Sequence, residues 1–262
     1  MNILVIHGSM RKGNTHALVK QITDRLYLKQ DISIHEISVS NLELPFCRSC
    51  HLCFTKGEEY CPDYSVMRGI QSALADCDGL IVSGVTYVWA LNAAMKNLMD
   101  HLAYGFHRPS LFGKKGLIVA TSTGTGEKNV AKYLRSALGQ LGVNKAIVVT
   151  QTEKEKKLLS PARFSKKLDR AAERFYRQLS ENHTLSPSIK NIAVHNAFRA
   201  MSLSEYSESE RDTQYWRQDA LNRVYPLRAG ALQYTVGAMV FAASKHMTKL
   251  IGKSYKGGKT PD

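Results

Sequence analysis

The first 150 residues alternate between short apolar runs and amphipathic segments, and this alternation constrains the fold more than any other feature. Three of the five runs are almost continuously apolar and rich in β-branched residues, which is typical of strands buried on both faces. The predicted strands are Asn2–His7, Ile32–Ser38, Gly79–Ser83, Gly116–Thr121 and Lys145–Thr150, and helical spacing occupies 15–28, 65–76, 91–103 and 127–141. Such alternation predicts a parallel sheet covered by helices on both sides.

Five strands of this kind favour the doubly wound order 2-1-3-4-5, which is flavodoxin-like. After Thr150 the pattern predicts helices only. Ser160–Pro161 is a helix start signal, and Ser186–Pro187 repeats it. We therefore predict an α/β flavodoxin-like domain over residues 1–182 and a helical C-terminal extension over residues 183–262.

The composition indicates a globular protein with a basic surface. Apolar residues make up 44% of the 262 residues, charged residues 22%, and the net charge is +14. Residues 151–262 hold 20 of the 36 basic residues but 11 of the 22 acidic ones. Because no nucleic-acid motif accompanies this excess, we expect a solvated basic face and no nucleic-acid partner; an acidic partner or anionic lipid surface is the minor alternative.

The N-terminal sequence, the longest uncharged stretch and the cysteines indicate where in the cell the protein is expected. The N-terminus shows no leader pattern, and the longest uncharged stretch outside the strands, Ala229–Ser244, is shorter than the ~20 residues of a spanning helix. We therefore expect a cytoplasmic protein. Five cysteines in that setting favour metal or redox use over disulfides.

The opening stretch Met1–Thr15 has the features of an anion site, because a strand, a tight polar turn and a helix start follow one another. Its candidate ligands for a phosphate are Ser9, Arg11, Gly13, Asn14 and Thr15. Two further loops should meet it at the carboxyl edge of the sheet. They contribute Thr86, Tyr87, Val88 and Trp89 after the third strand, and Thr121, Ser122, Thr123 and Gly124 after the fourth. A phosphate cradle beside aromatic and small polar residues suits a flat ring with polar edges.

The segment 8–15 resembles the phosphate loop of the NADPH-dependent FMN reductase family. Lys96 and Asp100 stand where that family carries Lys and Asp, whereas Thr86 replaces its usual Pro and His101 an Arg. The resemblance covers residues 1–150 and implies FMN on the three loops, NAD(P)H as co-substrate and a homodimer whose partner covers the flavin. No G-x-G-x-x-G pattern indicates a dinucleotide held in the Rossmann manner.

Four cysteines form the pattern C-x2-C-x2-C-x7-C: Cys47, Cys50, Cys53 and Cys61. The doubled two-residue gap is the ferredoxin spacing for a 4Fe–4S cluster, whereas zinc more often uses two separated C-x2-C pairs. This loop also resembles that of the iron-sulfur flavoproteins, which implies single-electron exchange with FMN. A cluster, zinc and an unmetallated loop all stay open. Cys77 and His7 are expected to fill structural roles.

The last predicted helix carries an apolar stripe beside Lys245, Lys249 and Lys253. The stripe comprises Leu232, Val236, Met239, Val240, Ala243, Leu250 and Ile251. We expect it to pack against the domain or a second subunit, and membrane-surface contact is disfavoured.

These observations lead to one functional hypothesis and two alternatives. The hypothesis is an NAD(P)H-dependent flavin oxidoreductase that passes hydride through FMN to a small acceptor such as a quinone or free flavin. No side chain is assigned a catalytic role, because the cofactor carries the chemistry. The first alternative is an iron-sulfur flavoprotein that exchanges single electrons with a ferredoxin-like partner. The second is a flavin-binding regulator or membrane-attached module built on the C-terminal extension.

Overall fold

The computed structural model describes residues 1–181, 185–207, 209–219 and 221–257, with side chains to residue 251. The strands are β1 (Asn2–His7), β2 (Ser33–Ser38), β3 (Gly79–Tyr87), β4 (Ala90–Leu91), β5 (Lys115–Ser122) and β6 (Ile147–Thr152). The helices of the first part are α1 (Asn14–Tyr27), α2 (Leu52–Thr55), α3 (Tyr64–Asp76), α4 (Ala93–His101), α5 (Tyr104–His107), α6 (Glu127–Gln140), α7 (Glu153–Leu158) and α8 (Pro161–Ser180). The extension contains α9 (Ile189–Ser202), α10 (Glu210–Trp216) and α11 (Ala231–Gly257).

The sheet has the strand order β2-β1-β3-β5-β6, and all four pairings along it are parallel. The predicted flavodoxin-like order is therefore confirmed. The third strand is longer than predicted: it runs to Tyr87 and turns back into β4, which pairs antiparallel with it. Thr86 and Tyr87 are thus strand residues, and the prediction that they lie in a loop was wrong.

Each face of the sheet carries its own apolar core because successive side chains of a strand point to opposite faces. In β1, Ile3 and Val5 pack under α1 and α8, where Phe175 is fully buried. Leu4 and Ile6 pack on the other side, under α3, α4 and α6. This two-sided burial explains why the central strands have almost continuously apolar sequences.

Helix ends near the predicted domain boundary differ from the sequence prediction. The helix after Ser160 begins at Pro161 as predicted, and Ser160 caps it. The second start signal was wrong by two residues, since Ser188 caps α9 through the amide of Asn191. The predicted boundary between residues 182 and 183 lies outside the described residues.

Helix α11 packs along α9 through a face different from the predicted stripe. Gly237 makes the closest approach, since a Cβ there would lie 2.5 Å from Val224 and 2.8 Å from Ile192. The predicted stripe is divided: Val236 and Val240 are half-buried, whereas the other five members, Leu232, Met239, Ala243, Leu250 and Ile251, are exposed. Helical spacing predicted one apolar stripe, and in the structure the side that includes Gly237 packs closely. In the described part of the chain, no helix combines the length and apolar character needed to cross a bilayer.

Candidate functional site

The opening loop, residues 8–15, joins β1 to α1 in a tight polar turn. A Cβ on Gly8 would lie 2.1 Å from the carbonyl oxygen of Ser83, so only glycine fits there. The Ser9 hydroxyl and the Gly13 amide both donate to the carbonyl of Arg11, each at 2.9 Å. This turn leads directly into α1, whose first turn has no acidic residue to offset the helix dipole. The loop can therefore attract an anion.

Two side chains of the opening loop are tied to other elements. Thr15 Oγ1 lies 2.6 Å from Thr121 Oγ1, and this buried bond joins the loop to the end of β5. The Asn14 amide donates to Glu153 at 3.2 Å and accepts from Lys156 at 3.0 Å. Asn14 must therefore release Glu153 before its side chain can donate to a phosphate.

A small polar cavity, called here the polar cavity, opens above these residues. It is lined by Ser9, Arg11, Gly13, Asn14, Thr15, Val85, Tyr87, Thr121, Ser122, Thr123, Gln151, Thr152 and Glu153. Nine of these are residues singled out from the sequence. The remaining four sequence candidates, Thr86, Val88, Trp89 and Gly124, do not line it.

A larger apolar cavity of about 810 Å³ adjoins the polar cavity. Four residues line both: Ser9, Arg11, Val85 and Tyr87. The rest of its wall is Met10, Val39, Leu42, Leu44, Phe46, Asn92, Ala93, Ala94, Asn97 and Leu98. A ligand with an anionic end and a flat apolar body matches this pair of cavities.

Sequence reasoning missed the segment that forms one side of the apolar cavity. Leu42, Leu44 and Phe46 lie after β2, and the Phe46 side chain is 77% exposed. Asn97 of α4 holds this segment, since its amide donates to the carbonyls of Leu44 and Pro45 and accepts from the Cys47 amide. The available signal was the apolar composition of a segment that follows an edge strand.

Two buried polar side chains near the cavities have no protein partner among the described residues. Asn92 lines the apolar cavity, and neither its amide nitrogen nor its amide oxygen has a hydrogen-bond partner. The buried Oγ1 atom of Thr86 has none either. An unsatisfied buried polar group costs about 1–3 kcal/mol. Asn92 therefore fits a bound ring with polar edges, and the shared lining of the two cavities fits FMN as a whole.

The two-residue turn between β3 and β4 carries Val88 and Trp89, which line neither cavity. Val88 and Trp89 have φ values of +45° and +63°, as a type I′ hairpin turn requires. Their side chains are 94% and 64% exposed. Left-handed backbone is unfavourable for a β-branched residue such as Val88, so the turn stores strain. The two side chains do not cover a ring inside this chain.

The four clustered cysteines line one cavity of about 190 Å³, called here the cysteine cavity. Ser49 and His51 adopt left-handed backbone conformations, which bend the loop around this cavity. Burial, followed by the neighbouring Cys61, Cys47 and Cys50, raises the pKa of Cys53 to about 11. The Cys53 thiol is therefore protonated at neutral pH, and a metal bound there would have to displace its proton. Four cysteines on one cavity supply the donor type that an iron-sulfur cluster or zinc requires.

Cys61 also lies near two buried polar residues, Asp63 and His101. His101 Nε2 is 3.2 Å from Asp63 Oδ2, and its Nδ1 is 3.0 Å from the carbonyl of Asn97. His101 is thus held in place between the cysteine loop and α4. It lines the cysteine cavity and neither the polar nor the apolar cavity.

Arg108, which follows α5, connects the extension to the cysteine loop. The Arg108 guanidinium donates to the carbonyl of Cys53, to Glu58 at 3.1 Å and to Asp212 of α10. Asp212 also contacts His107 Nδ1 at 2.8 Å, and Ser209 Oγ donates to the carbonyl of Phe54 at 2.6 Å. Both side chains of the Arg108–Asp212 pair are 5% exposed. One buried ion pair therefore joins the extension to the loop that carries the cysteines.

The model of the family described as NADPH-dependent FMN reductase matches residues 1–153. Since this is more than half of the chain, the protein belongs to that family. An iron-sulfur flavoprotein from Archaeoglobus fulgidus is 29% identical over 146 residues, which are 55% of this chain and 64% of the relative. The chain thus aligns with slightly less than two thirds of that relative's length.

Solved structures support the fold. An NADH:FMN oxidoreductase in its apo form superposes with a TM-score of 0.54 at 22% identity, covering 70% of this chain and 94% of the other. An FMN-dependent NADH-azoreductase from Bacillus anthracis, solved with FMN, gives a TM-score of 0.52 at 15% identity, covering 66% and 99%. At these identities the similarity establishes the flavodoxin-like architecture.

Proposed function

We propose that this protein is an FMN-dependent NAD(P)H oxidoreductase that reduces a small acceptor. The observation that carries the proposal is the pair of adjoining cavities that share Ser9, Arg11 and Tyr87. A polar end and an apolar body are the two parts of a mononucleotide with a flat ring. Membership of the FMN reductase family supports FMN as that mononucleotide.

In this proposal the opening loop holds the FMN phosphate. Arg11 supplies charge, and Thr15 supplies a donor when Thr121 donates the bond between them. Ser9 and the Gly13 amide join once they leave the Arg11 carbonyl, and Asn14 joins once it leaves Glu153. Residues 121–123 line the same cavity and approach the polar part of the ligand. The ring lies between Tyr87 and the wall formed by Leu42, Leu44 and Phe46, where Asn92 meets a polar edge.

Bound FMN would supply the redox chemistry, accepting a hydride from NAD(P)H and passing two electrons to the acceptor. The chain binds and orients these partners. Tyr87 and Phe46 are 58% and 77% exposed, so the apolar cavity keeps an open side for a nicotinamide and afterwards for a flat acceptor such as a quinone or flavin. Both substrates would use this side in turn, which predicts ping-pong kinetics.

The test is an absorbance titration of anaerobically purified protein with NADPH and NADH. We expect a flavin spectrum that bleaches on reductant addition and recovers when a quinone or free flavin is added. Protein loaded with FMN that fails to bleach with either nucleotide would contradict the proposal. Protein that binds no FMN at all would contradict the assignment of both cavities.

A second candidate function rests on the cysteine cavity, which the flavin reaction does not use. Four cysteines on one cavity and the similarity to an iron-sulfur flavoprotein support a 4Fe–4S cluster that exchanges single electrons with FMN and a ferredoxin-like partner. Iron and acid-labile sulfide should then be found in anaerobic protein and be lost in Cys50→Ser with FMN retained. Equimolar zinc without sulfide would instead identify a structural metal. Protein that contains neither iron nor zinc would indicate that the loop carries free thiols.

The quaternary state is also proposed. A homodimer would cover exposed Val88 and Trp89 beside the cavities, and such exposed apolar side chains favour burial against a partner. Sedimentation velocity should then give about twice the 29.3 kDa chain mass. In Val88→Asn/Trp89→Gly the dimer should weaken. A wild-type protein that sediments as a monomer would contradict this proposal.

A further inference from the structure

Two histidines and a glutamate meet where β1, β2 and α1 come together. His7 ends β1, Glu36 lies in β2, and His16 is in the first turn of α1. Val5 and Glu36 are register partners, and His7 lies two residues after Val5, so His7 and Glu36 point to the same face of the sheet. That face is covered by α1, which brings His16 to the other two.

The distances within this group are short. His7 Nε2 lies 2.8 Å from Glu36 Oε2. The rings of His7 and His16 stack with centroids 4.6 Å apart at an interplanar angle of 22°. One nitrogen or oxygen from each residue lies within 4.8 Å of those from the other two.

The environment leaves imidazole nitrogens available. His7 is 4% exposed, and its Nδ1 is buried with no hydrogen-bond partner in the described part of the chain. The stacked rings place imidazole nitrogens of both histidines beside the Glu36 carboxylate. A single cation shared by the three side chains would give the unpartnered Nδ1 of His7 or its neighbours a ligand and would neutralise the carboxylate.

We propose that His7, His16 and Glu36 form a binding site for a divalent transition metal, with Zn²⁺ as the best-matched ion. Two imidazole nitrogens and one carboxylate are a common zinc ligand set. Tetrahedral bonds of about 2.0–2.2 Å separate neighbouring ligand atoms by roughly 3.4 Å, so only small side-chain shifts are needed. His16 and Glu36 reach the surface, which leaves the fourth position to water.

The position of the site gives it a structural consequence. His7 and His16 flank residues 8–15, so a shared ion would join the two ends of the opening loop. Lys12 and Lys20 lie near His16 and oppose a cation there, which weakens binding relative to a fully buried site. The site is separate from the cysteine cavity, because the two share no residue.

The test compares Zn²⁺ binding to the metal-free full-length wild type with binding to His16→Gln, Glu36→Gln and a control, His35→Gln. His35 is exposed and adjacent to Glu36, but points to the other face of β2. Surface residues are chosen because a change at buried His7 could prevent folding. Zinc bound by the cysteines contributes equally to all four proteins, so differences between them report the proposed site alone.

Isothermal titration should show one more equivalent of Zn²⁺ in the wild type and in His35→Gln than in His16→Gln. Glu36→Gln should lower the affinity for that additional Zn²⁺ at least tenfold, because changing a residue that only hydrogen-bonds to a metal ligand already costs about tenfold. Zn²⁺ should also raise the melting temperature of the wild type and His35→Gln more than that of His16→Gln. Equal stoichiometry and affinity in all four proteins, each folded by circular dichroism, would overturn the proposal.

Discussion

The buried pair of Arg108 and Asp212 allows a sharp prediction about what the extension does. Asp212 is 3% exposed and bonds Arg108 with one carboxylate oxygen and His107 with the other. In Asp212→Asn the shape is kept and the charge is lost. The Arg108 guanidinium then stays buried with Glu58 as its remaining carboxylate among the described residues.

The expected loss follows from the cost of an uncompensated buried charge. Breaking a buried ion pair costs about 3–5 kcal/mol. Glu58 still faces Arg108 at 3.1 Å with its side chain 28% exposed, so we expect the lower end, about 3 kcal/mol. The matched control is Asp169→Asn, because Asp169 pairs with Arg25 at 2.6 Å but is 59% exposed. That surface pair should cost no more than about 1 kcal/mol.

Urea unfolding followed by circular dichroism measures both losses. Cysteine reactivity with a thiol reagent supplies a second readout, since Arg108 also holds the carbonyl of Cys53. If the extension opens on its own, the cysteines of Asp212→Asn should react faster even where global stability changes little. Equal stability and equal thiol reactivity in Asp212→Asn and Asp169→Asn would refute the reasoning.

Three further predictions concern the phosphate, acid stability and the hairpin. Arg11→Ala should weaken FMN binding about 10- to 150-fold, because this is the contribution of a hydrogen bond to a charged group. Lys12→Ala should weaken FMN binding less, and fluorescence titration with FMN measures the affinity of both variants. Burial lowers the pKa of His195 to about 3, so the folded state binds fewer protons than the unfolded state below pH 6.5. Stability should therefore fall by about 2 kcal/mol between pH 7 and pH 5 in the wild type and less in His195→Leu, as urea unfolding at both values would reveal. In the monomer, Val88→Asn should stabilise the fold by about 1 kcal/mol, because asparagine tolerates left-handed backbone and the valine buries little within one chain; an unchanged melting temperature, measured at a protein concentration too low for the proposed dimer to form, would contradict this.

The sheet was predictable because its signals are local. Strands buried on both faces must be apolar throughout, and the helices between them must repeat at 3.6 residues. The order of five parallel strands then follows from the limited number of ways to wind them. The hairpin of β3 and β4 was missed because Val88–Trp89 lacks the Asn-Gly or Asp-Gly signal of its turn type. There the surrounding structure imposes a conformation that the local sequence disfavours.

The polar half of the candidate site was also predictable, since short loops at strand ends must meet at one edge of the sheet. The apolar half was not, because Leu42, Leu44 and Phe46 belong to an irregular segment whose position depends on Asn97, more than 50 residues away. The same applies to α11, whose close packing at Gly237 depends on residues of distant segments such as Ile192 and Val224.

The link between the extension and the cysteine loop shows most clearly where sequence reasoning ends. Arg108 and Asp212 are 104 residues apart and belong to no motif. In the sequence, each residue has the appearance of an ordinary surface charge. Only the structure shows that the two side chains are buried together as an ion pair. Because the pair bonds the carbonyl of Cys53, any group held by the cysteines is coupled to the packing of α10. The cysteine cavity itself is lined by residues between 47 and 103, so the extension acts on it by holding the loop in place, and the stability of that loop should be lost together with the contacts of Asp212.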